Sequence, residues 1–311
     1  MFVRQATSSD AELVLDILNS EIAAVDPAHG LFGIDIAKQI IDSPGDPSPT
    51  WLFSDDETSV PFGVCNLHPD ISAKELEPTL SVRAGDNRYP LILDWFISEA
   101  NKEYPDFKMQ IEINEKHEEN LKTLASRNFA VTRYYNSLRA DVLPNMNHPV
   151  LPVGVSIRTV DLNNHEDLKK WHMLYQESFK DNYGFTPRDF ESWLKRTKAD
   201  ESIPSDGVFL LHFNSEPAGF IFTDDMDAFA SRGYITFLGV LKEHRGKGYA
   251  QLLLATALAR FSRRGYTKAE LGVDTQNSTN ALRVYEKMGF TKTSTWVLHG
   301  FYMRDKLQTI S

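Results

Sequence analysis

The sequence predicts an α/β protein built as two domains in tandem. Three observations carry this. The 311 residues, 41% of them hydrophobic, suffice for two separate cores. The same order of elements runs through the chain twice, at an offset of 154–161 residues. Between the two runs, Asp141 to Pro152 holds three prolines and no helical or strand periodicity, which reads as a linker. The expected boundaries are a first domain over 1–142, a linker over 143–152 and a second domain over 153–311.

The offset exceeds the period of a solenoid, so the repeat reads as a duplicated domain. Each copy opens on a short extended segment, Phe2-Val3-Arg4 or Ser156-Ile157-Arg158. An Asp and a helix follow, with Leu13, Val14, Ile17 and Leu18 apolar in one copy and Leu168, Trp171 and Leu174 in the other. A hairpin comes next, Trp51–Phe53 with Pro61–Cys65, repeated as Val208–Leu211 with Pro217–Phe222. Then come an apolar strand (Leu80–Val82 or Ile235–Val240), a long helix, and a fifth strand (Met109–Ile113 or Ala269–Val273). A second helix leads to a terminal Phe, Phe129 in one copy and Phe290 in the other.

Composition narrows the function classes. Residues 1–150 hold 12 Lys+Arg against 24 Asp+Glu, a net of −12; the remainder is +2, and the whole chain −10. A surface this acidic is unsuited to phosphate backbones, so no nucleic-acid partner is expected. The acidic half suits solubility or attraction of a cationic acceptor. No apolar run of about 20 residues exists, so no membrane partner is expected. Cys65 is the single cysteine, so neither an intrachain disulfide nor a Cys-based metal site is expected, and no metal is called for. The opening residues lack signal-peptide character, and together these features point to the cytoplasm.

The informative segment runs from Phe237 to Leu254. A strand ends near Val240, and a Gly-rich loop, Arg245-Gly246-Lys247-Gly248-Tyr249-Ala250, opens a helix with apolar Leu252, Leu253, Ala257, Leu258 and Phe261. Such a loop offers free backbone N–H groups and the positive helix end to an anion. Gly246 and Gly248 keep side chains out of the way, and Arg245 and Lys247 add positive charge. The loop lacks the Gly-Lys-Ser/Thr ending of a P-loop and the G-x-G-x-x-G of a dinucleotide fold.

About 35 residues on stands a second segment, Leu271 to Phe290, with Asn277, Asn280, Ala281-Leu282, Tyr285-Glu286-Lys287 and Gly289-Phe290. The pair of segments resembles the GNAT N-acetyltransferase superfamily, over most of residues 205–303. Arg245-x-x-Gly248-x-Ala250 is similar to its pyrophosphate loop, and the second segment to its closing strand and helix. The resemblance implies two tandem GNAT-like domains, each a mixed, mostly antiparallel β-sheet flanked by helices. It implies acetyl-CoA as co-substrate, gripped by Arg245, Gly246, Lys247, Gly248, Tyr249 and Ala250, with Asn277 and Asn280 also in contact. It implies that Leu238, Gly239 and Val240 present backbone N–H groups to the thioester oxygen. Tyr285 is the implied acid that protonates the leaving sulfur, and its ordinary pKa of about 10 keeps the proton on at neutral pH. By themselves, Tyr285 also suits a core aromatic and the two Asn suit helix caps.

No single general base is legible. Asp224, Asp225 and Asp227 lie on or after a hairpin strand, and Tyr234 starts the fourth strand where relatives carry a Glu. Tyr234 and Asp224 are the candidate acceptor contacts. At the matching loop of the first copy, Gly85-Asp86-Asn87-Arg88-Tyr89-Pro90 lacks the paired small residues, and Leu124 stands at the Tyr285 position. The first copy is therefore expected to be a degenerate domain that shapes the acceptor cleft.

Two such domains, the second active, resemble the tandem type of mycothiol synthase and its relatives. Tyr234, and Ile221 where a polar residue is expected, depart from that pattern, so only the general activity carries over. The expected reaction is direct attack of a primary amine, of a small molecule, on acetyl-CoA in a ternary complex. Acetylation of a protein N-terminus or lysine is an alternative, and a non-catalytic acetyl-CoA sensor another. A monomer or homodimer is expected.

Overall fold

The computed structural model describes residues 1–42, 48–200, 203–225, 228–277 and 281–302. The chain divides into two compact units, one of residues 1–135 with 294–311, the other of residues 136–293. The strands are β1 (Phe2–Gln5), β2 (Thr50–Ser54), β3 (Gly63–Asn66), β4 (Pro69–Asp70), β5 (Glu75–Leu76), β6 (Leu80–Val82), β7 (Lys108–Asn114), β8 (Ala130–Asp141), β9 (Val155–Thr159), β10 (Val208–Phe213), β11 (Glu216–Asp224), β12 (Arg232–Val240), β13 (Lys268–Asp274) and β14 (Thr291–Tyr302). The helices are α1 (Ala11–Val25), α2 (Ile34–Ile41), α3 (Tyr89–Glu103), α4 (Glu118–Ser126), α5 (His165–Phe179), α6 (Phe190–Ala199), α7 (Tyr249–Arg263) and α8 (Ala281–Lys287). No helix among the described residues is long and apolar enough to cross a membrane.

In the first unit β1, β2, β3 and β6 form an antiparallel sheet. Strand β5 lies parallel to β7, and β7 pairs antiparallel with Trp296–Tyr302 of β14. The alternation of side chains gives this sheet two apolar faces. On one, Val14 and Ile17 of α1 and Ala37 of α2 meet Leu52 and Val64. On the other, Ile92, Leu93 and Phe96 of α3 and Leu124 of α4 meet Phe53, Cys65 and Met109.

The second unit has the same layers. Strands β9, β10, β11 and β12 are antiparallel in turn, and β13 joins β12 in parallel. Helices α7 and α8 cover one face through Leu253, Leu254, Ala257 and Tyr285. Helices α5 and α6 cover the other through Leu168, Trp171, Leu174 and Trp193. Asn164 starts α5 by accepting from the backbone N–H groups of Glu166 (3.0 Å) and Asp167 (3.3 Å), which satisfies donors that the first helical turn leaves free. The 143–152 segment is tied down at α7: Ser262 Oγ donates to the Leu143 carbonyl at 2.7 Å and accepts from Met146 N–H at 3.0 Å.

One ion pair recurs in both units. Arg4 grips Asp10 through two hydrogen bonds of 2.9 and 2.6 Å, and Arg158 grips Asp167 through two of 2.6 Å. Each joins the opening strand to the head of the first helix. The Arg4 hydrogen bonds hold the Asp10 carboxyl down to about 2, against the desolvation that works to raise it. Arg158 likewise lowers Asp167. A lowered folded-state value means the stabilisation is present above the unfolded carboxyl value near 4 and is lost as pH falls through the folded one. Thermal stability is therefore expected to drop between about pH 4 and pH 2. Asp10→Asn should flatten part of that slope in a melting series, and an unchanged slope would remove the clamp from the account.

Candidate active site

All the elements of the candidate site belong to the second unit. After β12 the chain makes a single 3-10 turn, Lys242–His244, and enters the loop that ends at the head of α7. Gly246 and Gly248 both sit in the left-handed region, at φ +77° and +81°, with Gly248 as the helix N-cap. An L side chain is strained there, which is why the loop needs glycine. A Cβ on Gly246 would meet nothing within 4 Å, and one on Gly248 only Gln251 Oε1 at 3.7 Å. The first backbone bond into the helix is Leu252 N–H to Gly248 O, 3.2 Å. The N–H groups of Gly246, Lys247, Gly248, Tyr249, Ala250 and Gln251 donate to none of the described residues. Loop residues 245–248 are exposed. Six consecutive free donors at a positive helix end fit a diphosphate.

The loop's side chains divide. Arg245 is tethered: its Nε donates to Val240 O at 3.0 Å and its Nη2 to Ser178 O at 3.5 Å. It ties the loop to the ends of β12 and α5. Lys247 is exposed, with its Nζ 5.5 Å from the centre of the Phe213 ring. Tyr249 is buried among Phe213 and His244, so only its backbone faces the loop.

Beside the loop the sheet opens. Pairing of β12 with β13 runs from Arg232–Lys268 to Ile235–Leu271 and stops, although β12 continues to Val240 and β13 to Asp274. On its other side β12 stays paired with β11 up to Gly219–Val240. The β13-facing edge of residues 236–240, with Leu238, Gly239 and Val240, therefore has no strand paired with it among the described residues, and backbone N–H groups on that edge are available to a ligand oxygen.

Tyr285 lies on α8, its ring buried against Phe290 with centroids 6.1 Å apart. Its hydroxyl bonds to none of the described residues. Burial pushes this phenol up to about 12, so its proton stays on throughout the neutral range. Asn277 lies on the turn after β13, its N–H donating to Asp274 O at 3.1 Å. Asn280, like Asp227, lies outside the described residues.

The acidic candidates are occupied. Asp224 is buried opposite Tyr234 across β11 and β12, and accepts from Thr236 Oγ1 at 2.7 Å. Asp225 accepts from Arg260 Nη1 and Nη2, both at 2.8 Å. Arg260 is 0% exposed and also bonds Asp206, so Asp225 holds a structural ion pair rather than standing ready as a base. The sequence carried one hint of this: Arg260 falls on the apolar stripe of α7, three residues after Ala257. The Tyr234 hydroxyl comes within 3.3 Å of where a Gly272 Cβ would stand, so that glycine makes room for it.

The matching loop of the first unit is closed on itself. Asp86 accepts from Arg88 N–H (2.9 Å), Nε (3.0 Å) and Nη2 (2.6 Å), and Arg88 lowers the pKa of the Asp86 carboxyl. The Arg88 guanidinium lies 3.4 Å over the Phe62 ring. Ala84 N–H is taken by Ser20 Oγ and Asp86 N–H by Arg83 O. Pro90 has no N–H, and Leu124 is fully buried.

Comparison with known proteins adds to this geometry. Residues 167–290 match the acetyltransferase (GNAT) family. Mycothiol acetyltransferases from Streptomyces griseus and Thermobispora bispora are each 31% identical to the chain, over 51% and 50% of it and 50% and 52% of their own length. The chain thus spans about half the length of the curated relatives it matches. In fold, a GCN5-related N-acetyltransferase from Sphaerobacter thermophilus is similar over 97% of this chain and 95% of its own, with TM-score 0.78 and 18% identity. A tandem GNAT protein from the clavulanic acid biosynthesis pathway is similar over 97% and 98%, with TM-score 0.77 and 15% identity.

Proposed function

We propose that this chain, whose residues 167–290 match the acetyltransferase (GNAT) family and whose fold is similar to that of a tandem GNAT protein, moves an acetyl group from acetyl-CoA to a primary amine of a small molecule. The observation that carries the reading is the run of free N–H groups from Gly246 to Gln251 beside the unpaired edge of β12. The loop binds the diphosphate by charge and hydrogen bonds. Acetyl-CoA supplies a thioester, whose carbonyl carbon accepts the amine. The open edge at Leu238 to Val240 stabilises the negative charge that grows on the carbonyl oxygen. Tyr285, protonated at neutral pH, gives its proton to the leaving sulfur. With Asp224 and Asp225 engaged, the ammonium proton of the acceptor leaves through solvent rather than to one of these carboxylates.

The likeness to mycothiol acetyltransferases favours a small-molecule acceptor, and the closed loop of the first unit leaves one acetyl-CoA site per chain. CoA release by the pure protein over a panel of amines tests the activity. Turnover on at least one amine is expected; tight acetyl-CoA binding with no turnover on any would instead make the chain a sensor. Tyr285→Phe is expected to lower kcat by roughly 100-fold with acetyl-CoA binding kept, the size usual for losing a positioned acid. Unchanged turnover would remove Tyr285 from that role.

A further inference from the structure

The duplication gives positions of the second unit counterparts in the first. A step of 157 residues carries Asp10 to Asp167, Val14 to Trp171 and Ile17 to Leu174, which are buried at the same places of the two opening helices. The same step carries Glu21 to Ser178. On the sheet, Gly63 lies opposite Val82 and Val64 opposite Ser81; Gly219 lies opposite Val240 and Phe220 opposite Gly239. With Pro61-Phe62-Gly63 matching Pro217-Ala218-Gly219, Ser81 and Gly239 are counterparts.

In the first unit these two side chains are bonded. Ser81 Oγ donates to Glu21 Oε2, and Glu21 Oε1 accepts from Asn120 at 3.3 Å and lies 3.0 Å from His117 Nε2. The carboxylate joins β6 to the residues around the start of α4. In the second unit the serine is on the helix instead. Ser178 Oγ lies against Gly239, where a Cβ would stand 2.7 Å from it. Ser178 is 9% exposed, and its hydroxyl has no hydrogen-bond partner among the described residues. Buried polar groups without partners are rare, and a ligand that completes them is one explanation. The Ser178 carbonyl is meanwhile held by Arg245 of the cofactor loop. This residue is therefore fixed at the meeting point of that loop and the unpaired stretch of β12.

We propose that the Ser178 hydroxyl donates a hydrogen bond to the acetyl carbonyl oxygen, beside the backbone N–H groups of β12. The proposal rests on the acetyl-transfer reading above. In the first unit the chain supplies the acceptor oxygen through Glu21; in the second the chain supplies the donor, and the acceptor oxygen arrives with the substrate. The hydroxyl keeps its proton, and its bond strengthens as the oxygen gains charge.

Ser178→Ala tests this through two ligands, CoA and acetyl-CoA, which differ only in the acetyl group. Titration calorimetry is expected to show acetyl-CoA Kd raised roughly five- to tenfold, the worth of one hydrogen bond, and CoA Kd unchanged. Turnover on any amine that the wild type acetylates should fall by about 10- to 100-fold. The melting temperature should hold or rise, because the variant loses an unpartnered buried hydroxyl. Equal shifts for both ligands, or no shift for either with full turnover, would overturn the assignment. Wild-type protein that binds neither ligand would instead sink the acetyl-transfer reading, and this proposal with it.

Discussion

Gly248→Glu is expected to abolish measurable acetyl-CoA binding, raising Kd by roughly 100-fold or more. Two effects add. Gly248 has φ +81°, where any L side chain costs about 1 kcal/mol or more. The larger effect is charge: in the proposed complex a carboxylate at the loop would face the diphosphate, beside the free N–H groups and Lys247. Two like-charge contacts at about 4 Å cost on the order of 1–4 kcal/mol each in a partly solvated setting. Gly248→Ala separates the two effects. A Cβ at this position meets only Gln251 Oε1, at 3.7 Å, so the alanine variant carries the backbone strain alone and should lose about tenfold in affinity at most. Calorimetric titration checks both variants, and wild-type protein should bind one equivalent per chain. A glutamate variant that binds within a few fold of wild type would show that the diphosphate lies elsewhere.

Arg260→Ala is expected to destabilise the second unit by about 3 kcal/mol. The guanidinium is fully buried and bonds both Asp206 and Asp225 at 2.8 Å. Desolvation alone works to raise the Asp206 carboxyl; Arg264 and Arg260 together hold it below its ordinary value. Removing Arg260 leaves Asp206 and Asp225, 35% and 20% exposed, short of a partner; stranding a fully buried charge costs about 3–5 kcal/mol. Arg264 still reaches Asp206 at 2.6 Å and Asp225 at 3.2 Å, so the lower end of that range applies. For a unit of this size about 3 kcal/mol corresponds to a fall in Tm of roughly 6–12 °C. Acetyl-CoA binding measured well below the new Tm should be kept, because the loop at Gly246 to Gln251 lies at the other end of α7. A Tm within 2 °C of wild type would show that Arg264 carries the pair alone.

The parts of the site that the sequence made legible are contiguous. Gly246 and Gly248 are spaced so that their backbone can turn into α7, and that geometry needs no partner from elsewhere in the chain. Tyr285 and the following Gly289-Phe290 sit in one segment for the same reason. The duplicated order of elements was also legible, because each element carries its own apolar period, as Val14 and Ile17 do for α1 and Trp171 and Leu174 do for α5. The side chains around the loop were not. Arg245 reads in sequence as a phosphate-side cation; only the structure shows that its Nε and Nη2 also tether the loop to the carbonyls of Val240 and Ser178. Asp225 reads as a surface acid near the acceptor face, yet it is locked to Arg260, 35 residues away.

By itself, then, the sequence determined what local backbone and hydrophobic period can specify: two α/β copies, two motifs that resemble the GNAT family, and the Gly-rich loop that opens α7. Tertiary structure decided what depends on distant partners. It set Trp296–Tyr302 against β7, among the residues of the first unit. It ended the pairing of β12 and β13 at Ile235, which opens the edge beside Gly239. It also brought Ser178 of α5 against that glycine and closed the Glu21 pair in the first unit. The physical reason is range: a left-handed glycine or an apolar stripe is fixed within a few residues. A buried ion pair or an orphaned hydroxyl exists only once segments dozens of residues apart have packed together.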